Sequence, residues 1–579
     1  MKKDFDGQLT KNLANCGIEK IEKFMTGVDS DWYRATIKND TDVITVMKKA
    51  RSLNEVLVVD LDYIYENAVE EEWESVGPTT DCTDILNEKV KNNENAGQQW
   101  YLTHCDIQKA WKFLEKEGIE PGGLSSVTVA VIDTGVDYNH PDLKANMWVN
   151  TGEIAGNGID DDGNGYVDEV YGVNVIANNG YADMENVGNP MDDHGHGTHV
   201  AGIIAATNNK AGIVGIAYNA KIMAVKAGQA TGIFLQSDIA EGILYAYQMG
   251  ADVINMSFGG NACSIAVQDA LTQAYTSAVL VASAGNDGKP NEKTDHYKEY
   301  PDYAPNYPGA LSYVIGVMSV GAQYTESSFT NWDASKFNSI EYEIYAPGEF
   351  ILSTLPNNRY GNMSGTSMAA PVVSGIAALL RSYFTDKDMY PSKFIAGQLC
   401  SATSDEAHCC NQKKHTVDNQ EHNLPFVVNA YDSLTKLPKP DVYVNDYYLF
   451  DDEDISDNNN GDGVVDAGET INIGMILRNR WGAAEDTTLT LDSIVSNDTG
   501  LTNPYVEIID GSVNFGGVGT YSTKDQLIRE SELITGTNYP LVIKIKENCP
   551  NDYLVNLNVR VAFKNALDEE DTNSYSNYQ

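Results

Sequence analysis

Between residues 127 and 321 the chain alternates short apolar runs with longer amphipathic ones, and that alternation restricts its fold more than any other feature. Val127–Ile132, Lys221–Lys226, Asp252–Met256, Val279–Ala284 and Tyr313–Gly321 have the length and character of strands. Ser237–Met249 and Ile265–Ser277 have helical spacing. Alternation of this kind predicts a parallel sheet covered by helices on both faces.

Chemistry-bearing residues sit at the ends of these runs. Asp133 closes the first and is followed by Thr134-Gly135, which puts a carboxylate at the C-terminal end of a buried strand, where open α/β sheets carry function. Val279–Ala284 is followed by Gly285-Asn286-Asp287-Gly288, leaving an Asn amide at a second strand end. His196 lies in His194-Gly195-His196-Gly197-Thr198-His199-Val200-Ala201-Gly202, which opens a helical stretch to Ala206. Gly365-Thr366-Ser367-Met368-Ala369-Ala370-Pro371 places the Ser367 hydroxyl where a glycine-flanked loop meets the helical run Val372–Phe384. Pro371 is expected in the first turn of that helix, where it is tolerated, and the positive end of the helix then lies near Ser367. A lone serine is a poor nucleophile; His196 as base and Asp133 as orienting acid complete the set it needs.

These segments resemble the subtilisin-like serine proteases, or subtilases, in the chain order Asp, His, Ser. The resemblance implies that Ser367 attacks a scissile carbonyl while His196 takes its proton. Asp133 would hold the imidazole tautomer and stabilise the imidazolium, and Asn286 with the Ser367 N–H would donate to the oxyanion. It implies that Ser257-Phe258-Gly259-Gly260 is a cleft-edge strand pairing with an extended protein or peptide substrate, and that Ser283, Ala284 and Gly285 line part of the primary pocket. It covers residues 98–437, from Trp100-Tyr101-Leu102 and the Trp111 helix to Val428-Asn429-Ala430-Tyr431.

Two loops carry oxygen ligands at calcium spacing. Asp160-x-Asp162-x-Asn164-Gly165-Tyr166-x-Asp168 fits the first nine positions of an EF-hand-type loop, with Tyr171 where the bidentate acid belongs. Asn458-x-Asn460-x-Asp462-Gly463-Val464-x-Asp466-x-x-Glu469 fits through the last position. Both are read as Ca²⁺ sites, against the alternative of Asx/Gly-rich turns without an ion. From the resemblance alone, Asp142, Asn209 and the carbonyls of Thr207, Ala211 and Ile213 match a further calcium site, with Gln98 or Gln99 as the N-terminal ligand. A zinc site on His194, His196 and His199 is disfavoured, because His199 belongs to the subtilase motif and no acidic motif completes a zincin.

The chain is long enough for two or three domains. Residues 1–97 predict a small α+β unit with strands at Val43–Met47 and Val56–Val59, followed by a polar linker from Glu70 to Gln98. That unit resembles the end of an inhibitory subtilase propeptide, so the chain's own N-terminal unit is an expected inhibitor; the alternative is an extension that caps without inhibiting. Residues 438–579 carry near-alternating segments at Thr470–Leu477, Thr487–Leu491, Leu541–Ile545 and Leu554–Ala562, which predict a β-sandwich.

With 39 basic against 83 acidic side chains the formal charge is -44, which excludes nucleic acid and anionic membranes as partners. No apolar stretch approaches a membrane span. Met1–Gly7 has two lysines without an apolar core and is not a signal peptide; by family analogy the protein is expected to act outside the cell or at its surface, its export signal lying outside this chain. Eight cysteines allow disulfides, including a local bridge among Cys400, Cys409 and Cys410, and equally allow thiols; no Cys-x-x-Cys pair is present. The expected function is a calcium-supported serine endopeptidase. The alternatives are a peptide ligase on the same fold, or an adhesion protein whose protease domain is occluded.

Overall fold

A computed structural model describes residues 7–26, 31–38, 41–53, 56–67, 74–76, 99–176, 187–209, 211–289, 305–332, 342–402, 416–417, 420–421, 427–452, 455–479, 481–496, 503–519, 522–525, 541–550, 553, 555–565 and 570–578. The chain divides into two compact units, residues 1–399 with 403–435, and residues 400–402 with 436–579. Cys82, Cys409, Cys410 and most of the Glu70–Gln98 linker lie outside the described residues.

The first unit opens with α1 (Gly7–Cys16), β1 (Ile18–Thr26), β2 (Asp31–Ile37), α2 (Val43–Arg51), β3 (Ile64–Asn67) and β4 (Glu74–Val76). Then come α3 (Tyr101–His104), α4 (Ile107–Lys116), β5 (Thr128–Asp133), β6 (Gly172–Asn174), α5 (His196–Ala205) and β7 (Lys221–Lys226). They are followed by β8 (Ile233–Leu235), α6 (Gln236–Gln248), β9 (Val253–Met256), β10 (Phe258–Gly259), α7 (Ile265–Ala274) and β11 (Val279–Ser283). The unit continues through β12 (Ile315–Val320), β13 (Ile344–Pro347), β14 (Ile351–Leu355), β15 (Arg359–Met363) and α8 (Thr366–Tyr383).

Seven strands make one parallel sheet in the order β13-β12-β11-β9-β5-β7-β6. Every residue of β5, β9 and β11 is buried, as strands covered on both faces must be. Helices α6 and α7 pack together, and α5 packs with α8, which lies across β9, β11 and β12. The chain leaves the central β5 toward β7 and β6 on one side and returns to β9 and β11 on the other. The C-terminal end of β5 is therefore a topological switch point, where such sheets leave a crevice. Asp133 stands there.

The N-terminal segment is α+β, but its strands are not where the sequence reading put them. Val43–Met47 is the start of α2, not a strand: the Asp42 carboxylate caps it by accepting from the Thr45 N–H at 2.9 Å and the Thr45 hydroxyl at 2.6 Å. Val46 and Ala50, four apart, are its buried residues, and Lys48, Lys49 and Arg51 suit its C-terminal end. Cap and periodicity together outweigh the β-branched residues. Val56–Val59 forms no strand; Val56 and Val59 pack on the small core of Leu13, Ile18, Val46 and Ala50, while Leu57 and Val58 are exposed. The strands are β1 and β2, an antiparallel pair. They lie over α6 and α7: Trp32 Nε1 donates to Asp269 at 2.9 Å, and Arg34 pairs with Asp238 at 2.5 Å.

After α9 (Ser392–Ser401), β16 (Thr416–Val417), β17 (Gln420–Glu421) and α10 (Ala430–Thr435) the regular elements among the described residues are all strands. Its strands are β18 (Val442–Phe450), β19 (Thr470–Asn479), β20 (Ala484–Ser496), β21 (Val506–Val518), β22 (Thr523–Asp525), β23 (Leu541–Ile545), β24 (Val555–Lys564) and β25 (Glu570–Tyr578). β21 pairs with β23 through Val506–Gly511 and with β20 beyond Ser512, so one long strand serves two layers over a shared core. The expected sandwich is present, with β18, β21, β22 and β25 added to the strands legible in the sequence.

Candidate active site

Asp133, the last residue of β5, is fully buried. Its Oδ1 accepts from the Thr134 N–H at 2.7 Å and lies 2.7 Å from His196 Nδ1. A carboxylate at Nδ1 keeps the imidazole proton on that nitrogen, which leaves Nε2 as the acceptor. His196 Nε2 is buried and has no hydrogen-bond partner. His196 opens α5, and this helix can start against the strand end only because Gly197 has no side chain; a Cβ there would meet the Gly135 carbonyl at 2.1 Å and Asp133 Cβ at 2.9 Å. Asp192, missed in the sequence, fixes the turn before the helix, its carboxylate accepting from the N–H groups of His194, Gly195 and Thr198 and from two hydroxyls.

His199, one turn along, has Nε2 3.1 Å from the Gly361 carbonyl. Burial pushes its pKa down to about 3, so it stays neutral in the fold while an unfolded chain protonates it near pH 6.5. The unfolded state thus binds the extra proton between pH 6.5 and about 3. This contribution to stability is complete above pH 6.5 and is lost as pH falls, by about 1.4 kcal/mol per unit. Urea unfolding of wild type and His199→Gln from pH 7 to pH 4.5 should show a steeper loss in the wild type; parallel slopes would contradict the assignment.

Ser367 is the second residue of α8, its hydroxyl donating to the Ser257 carbonyl at 2.7 Å. Pro371 is the sixth residue of that helix and lies beyond the first turn, contrary to the sequence expectation. Lacking an N–H, it leaves the carbonyl of Ser367, four residues back, without its helical donor. The Ser257 hydroxyl supplies one at 2.9 Å. Ser257 in turn is held by Asn255 Nδ2 at 2.9 Å, so a break in the helix ladder ties Ser367 to the residue after β9.

Asn286 follows β11 by a short turn. Its Oδ1 accepts from the Thr366 N–H at 3.0 Å and the Thr366 hydroxyl at 2.8 Å, and that hydroxyl accepts from the Gly285 N–H at 3.1 Å. A backbone N–H can only face the oxygen end of the amide, which fixes the orientation. Nδ2 points the other way, buried and without a partner.

Ser257, Phe258 and Gly259, expected at the cleft edge, and Ser283, Ala284 and Gly285, expected at the primary pocket, adjoin this group. The Ser283 hydroxyl donates to the Phe258 carbonyl at 3.2 Å, and Asn306 Nδ2 donates to the Ser283 carbonyl at 3.1 Å. Phe258 and Ala284 are buried. The chain's own β3 lies along the edge, antiparallel to β10 on one side and β8 on the other, with Glu66 opposite both Gly259 and Ile233. Tyr65 is buried there against Phe258, at 6.1 Å between ring centres, whereas Ile64 is exposed. Further on, β4 pairs with β15, which leads through Gly365 to Ser367.

A sequence profile of the subtilase family matches residues 125–421, half of the chain. The chain belongs to the subtilase family. Over 260 residues this subtilase is 39% identical to the major intracellular serine protease of Bacillus subtilis, covering 45% of the chain and 69% of that protein. It is 36% identical over 289 residues to thermitase of Thermoactinomyces vulgaris, covering 50% of the chain and 83% of thermitase. It is 35% identical over 303 residues to subtilisin-like protease 1 of Plasmodium berghei, covering 51% of the chain and 48% of that protein, about half its length.

This subtilase carries three acidic loops, two in the first unit and one in the β-rich unit. In the first, Asp160 and Asp162 come close enough to Glu153 for the three carboxylates to share a cation. Glu153 lies outside the sequence motif and carried no signal there. Asp160 also accepts from the N–H groups of Gly163, Asn164 and Gly165. Asn164 donates to Asp162 and Glu169, the Tyr166 hydroxyl donates to Glu241, and Asp168 accepts from the N–H groups of Asn157 and Gly158. Glu169 is fully buried with Oε2 unpartnered, and burial raises its pKa. In the second, Asp142 accepts from Asn209 Nδ2, the Ile213 N–H and the Tyr360 hydroxyl, its carbonyl accepts from the Thr207 N–H, and the Asn209 side chain accepts from the Ala211 N–H. Gln99 holds Val214 beside it through both ends of its amide. In the β-rich unit, buried Glu469 accepts from the N–H groups of Asn460 and Asp466, Asp462 accepts from the Val464 N–H, and Asn458 donates to the Gly468 carbonyl. Asp451, missed in the sequence, accepts from the Gly463 N–H.

Proposed function

We propose that this subtilase is a serine endopeptidase acting through Ser367, His196, Asp133 and Asn286 on extended segments of protein or peptide substrates. The observation that carries the reading is a pair of buried polar atoms without partners, His196 Nε2 and Asn286 Nδ2. Each costs the fold about 1–3 kcal/mol, and the reaction uses both. Rotation of the Ser367 side chain brings Oγ from the Ser257 carbonyl to Nε2. Oγ then bonds the scissile carbonyl carbon as its proton passes to His196, and the charge on the carbonyl oxygen meets Asn286 Nδ2 and the Ser367 N–H. Collapse breaks the C–N bond, and the amine leaves with the His196 proton. Water, activated by the same nitrogen, hydrolyses the acyl-enzyme. Asp133 stays ionised and holds the imidazolium. Fluorophosphonate treatment after the N-terminal segment has been removed should put one adduct on the peptide containing Ser367; an adduct confined to another serine would contradict the reading.

The N-terminal unit is part of this proposal as an internal inhibitor. It adds a strand between β8 and β10, the place an extended substrate would take. Two of its carboxylates cap catalytic-unit helices: Asp62 accepts from the Ser237 N–H at 2.9 Å at the start of α6, and Asp60 from the Ile265 N–H at 3.1 Å at the start of α7. A cap contributes about 1 kcal/mol. Asp60→Ala and Asp62→Ala should therefore each speed fluorophosphonate labelling of the uncleaved chain about fivefold, and unchanged labelling rates would remove the caps from the account.

Calcium is proposed at the oxygen-rich loops. Asp160, Asp162 and Glu153 would hold it in the first, with unpartnered Glu169 Oε2 nearby, and Asn458, Asn460, Asp462, Val464, Asp466 and Glu469 in the loop of the β-rich unit. Asp142, Asn209 and the carbonyls of Thr207, Ala211 and Ile213 form a third candidate. When bound, the ion would neutralise carboxylates and stiffen the loop. Chelation should lower the melting temperature by roughly 5 °C, reversed by calcium, and Glu153→Gln should shrink the shift; equal shifts in both proteins would take Glu153 out of the site. Action outside the cell belongs to the same proposal, consistent with oxygen-ligand loops that load at extracellular calcium levels. Among the described residues no helix is long and apolar enough to cross a membrane.

A further inference from the structure

Asn286 donates from a turn, and a turn holds a side chain to a few tenths of an ångström only if something outside it does the holding. Thr366 fixes the direction of the amide and takes the Gly285 N–H before it, but the backbone after Asn286 is fixed elsewhere. Asn331, fully buried, reaches across the whole turn. Its Oδ1 accepts from the Asp287 N–H at 3.0 Å and the Lys289 N–H at 3.1 Å, on the far side of Asn286. Its Nδ2 donates to the Ala284 carbonyl at 3.0 Å, on the near side, and lies 3.4 Å from the Asp287 carboxylate. Its own N–H donates to the Gly285 carbonyl at 2.9 Å. The neighbouring backbone completes the clamp through the Gly288 N–H to the Phe329 carbonyl at 2.7 Å and the Trp332 N–H to the Lys289 carbonyl at 3.1 Å. The fit leaves no slack: Gly285 has φ +96°, and a Cβ there would meet Asn331 Nδ2 at 2.5 Å.

We propose that Asn331 is a positioning residue for the oxyanion donor: it bonds the backbone on both sides of Asn286 and so holds Nδ2 where the reaction needs it. It touches neither substrate nor reacting atoms. The proposal rests on the endopeptidase reading and deepens it. An oxygen that gains charge only as the bond forms needs its donor most in the transition state, so loosening Asn331 should slow turnover without weakening substrate binding. No other side chain in the turn spans it in this way among the described residues.

The test is steady-state hydrolysis of a chromogenic peptide, with active sites counted by fluorophosphonate titration, for wild type, Asn331→Ala, Asn331→Ser, Asn286→Ala and the Asn286→Ala/Asn331→Ala double variant. Asn331→Ala is expected to lower kcat about tenfold to a hundredfold with KM within twofold of wild type. The double variant should be no slower than Asn286→Ala alone, because a residue acting only through Asn286 has nothing left to position. If Asn331→Ala does not fold, Asn331→Ser decides in its place; its hydroxyl satisfies one orphaned group but cannot span the turn. Wild-type kcat in the variant that folds overturns the proposal and leaves the endopeptidase reading standing. So does a raised KM at constant kcat, or a double variant slower than either single one by the product of their losses. A wild-type protein that neither labels nor hydrolyses after its N-terminal segment has been cleaved off removes both.

Discussion

Ser367→Ala is expected to lower peptide hydrolysis by about 10⁶-fold per folded molecule, with the melting temperature almost unchanged. The size follows from the division of labour at the site. In the proposed reaction the free, buried Nε2 of His196 accepts a proton from one hydroxyl, and Asp133 at 2.7 Å only orients and steadies that ring. Without Oγ neither has anything to act on, so the three losses collapse into one. The small effect on stability has a local cause. The hydroxyl's visible bond is to the Ser257 carbonyl, and the bond that secures α8 runs the other way, from the Ser257 hydroxyl to the Ser367 carbonyl. Alanine keeps that carbonyl. A parallel measurement of hydrolysis and thermal melting checks both halves, and residual activity above about 1% of wild type would show that another nucleophile is at work.

Asn286→Ala is expected to lower kcat about 10²–10³-fold with little change in KM. Its Nδ2 has no partner in the resting site, and a donor aimed at the carbonyl oxygen counts most once that oxygen carries charge, in the transition state. The same substitution strips Thr366 of the acceptor for its N–H and hydroxyl, so a modest loss of stability should accompany the kinetic one. Asn286→Asp separates the two: it keeps an acceptor for Thr366 while replacing the donor with an anion facing the oxyanion, and it should be slower than the alanine variant yet as stable as wild type. Steady-state kinetics beside thermal melting test this, and a variant slowed through KM alone would place Asn286 in substrate binding.

What the sequence displayed well were junctions. Asp133, His196, Asn286 and Ser367 each follow or open a regular element beside glycines, and local pattern is enough to find such places. What it hid were partners far along the chain. Glu153 is the near exception: it precedes the Asp160 loop by a few residues, falls outside the motif's spacing, and joins the loop only once the turn between them forms. Asn331 sits in a polar stretch whose importance comes from residues more than forty positions earlier. The strand Ile64–Asn67 was not legible because its partners, β8 and β10, come over a hundred residues later. Val43–Met47 failed for the opposite reason: a strong local signal, the run of β-branched residues, was outweighed by another local one, the Asp42 cap. Pro371 read as a first-turn residue because the serine that compensates for it, Ser257, is remote in sequence.

The central claim is that these groups form a working protease held in check by its own N-terminal segment. The most direct test follows the intact mass of the purified full chain in calcium over time, wild type beside Ser367→Ala. The account predicts that wild type splits once, between about Glu70 and Gln98, and becomes reactive toward fluorophosphonate as it does so, while Ser367→Ala remains whole. A wild-type chain that stays intact and unreactive, or a Ser367→Ala chain that splits at the same rate, would contradict it.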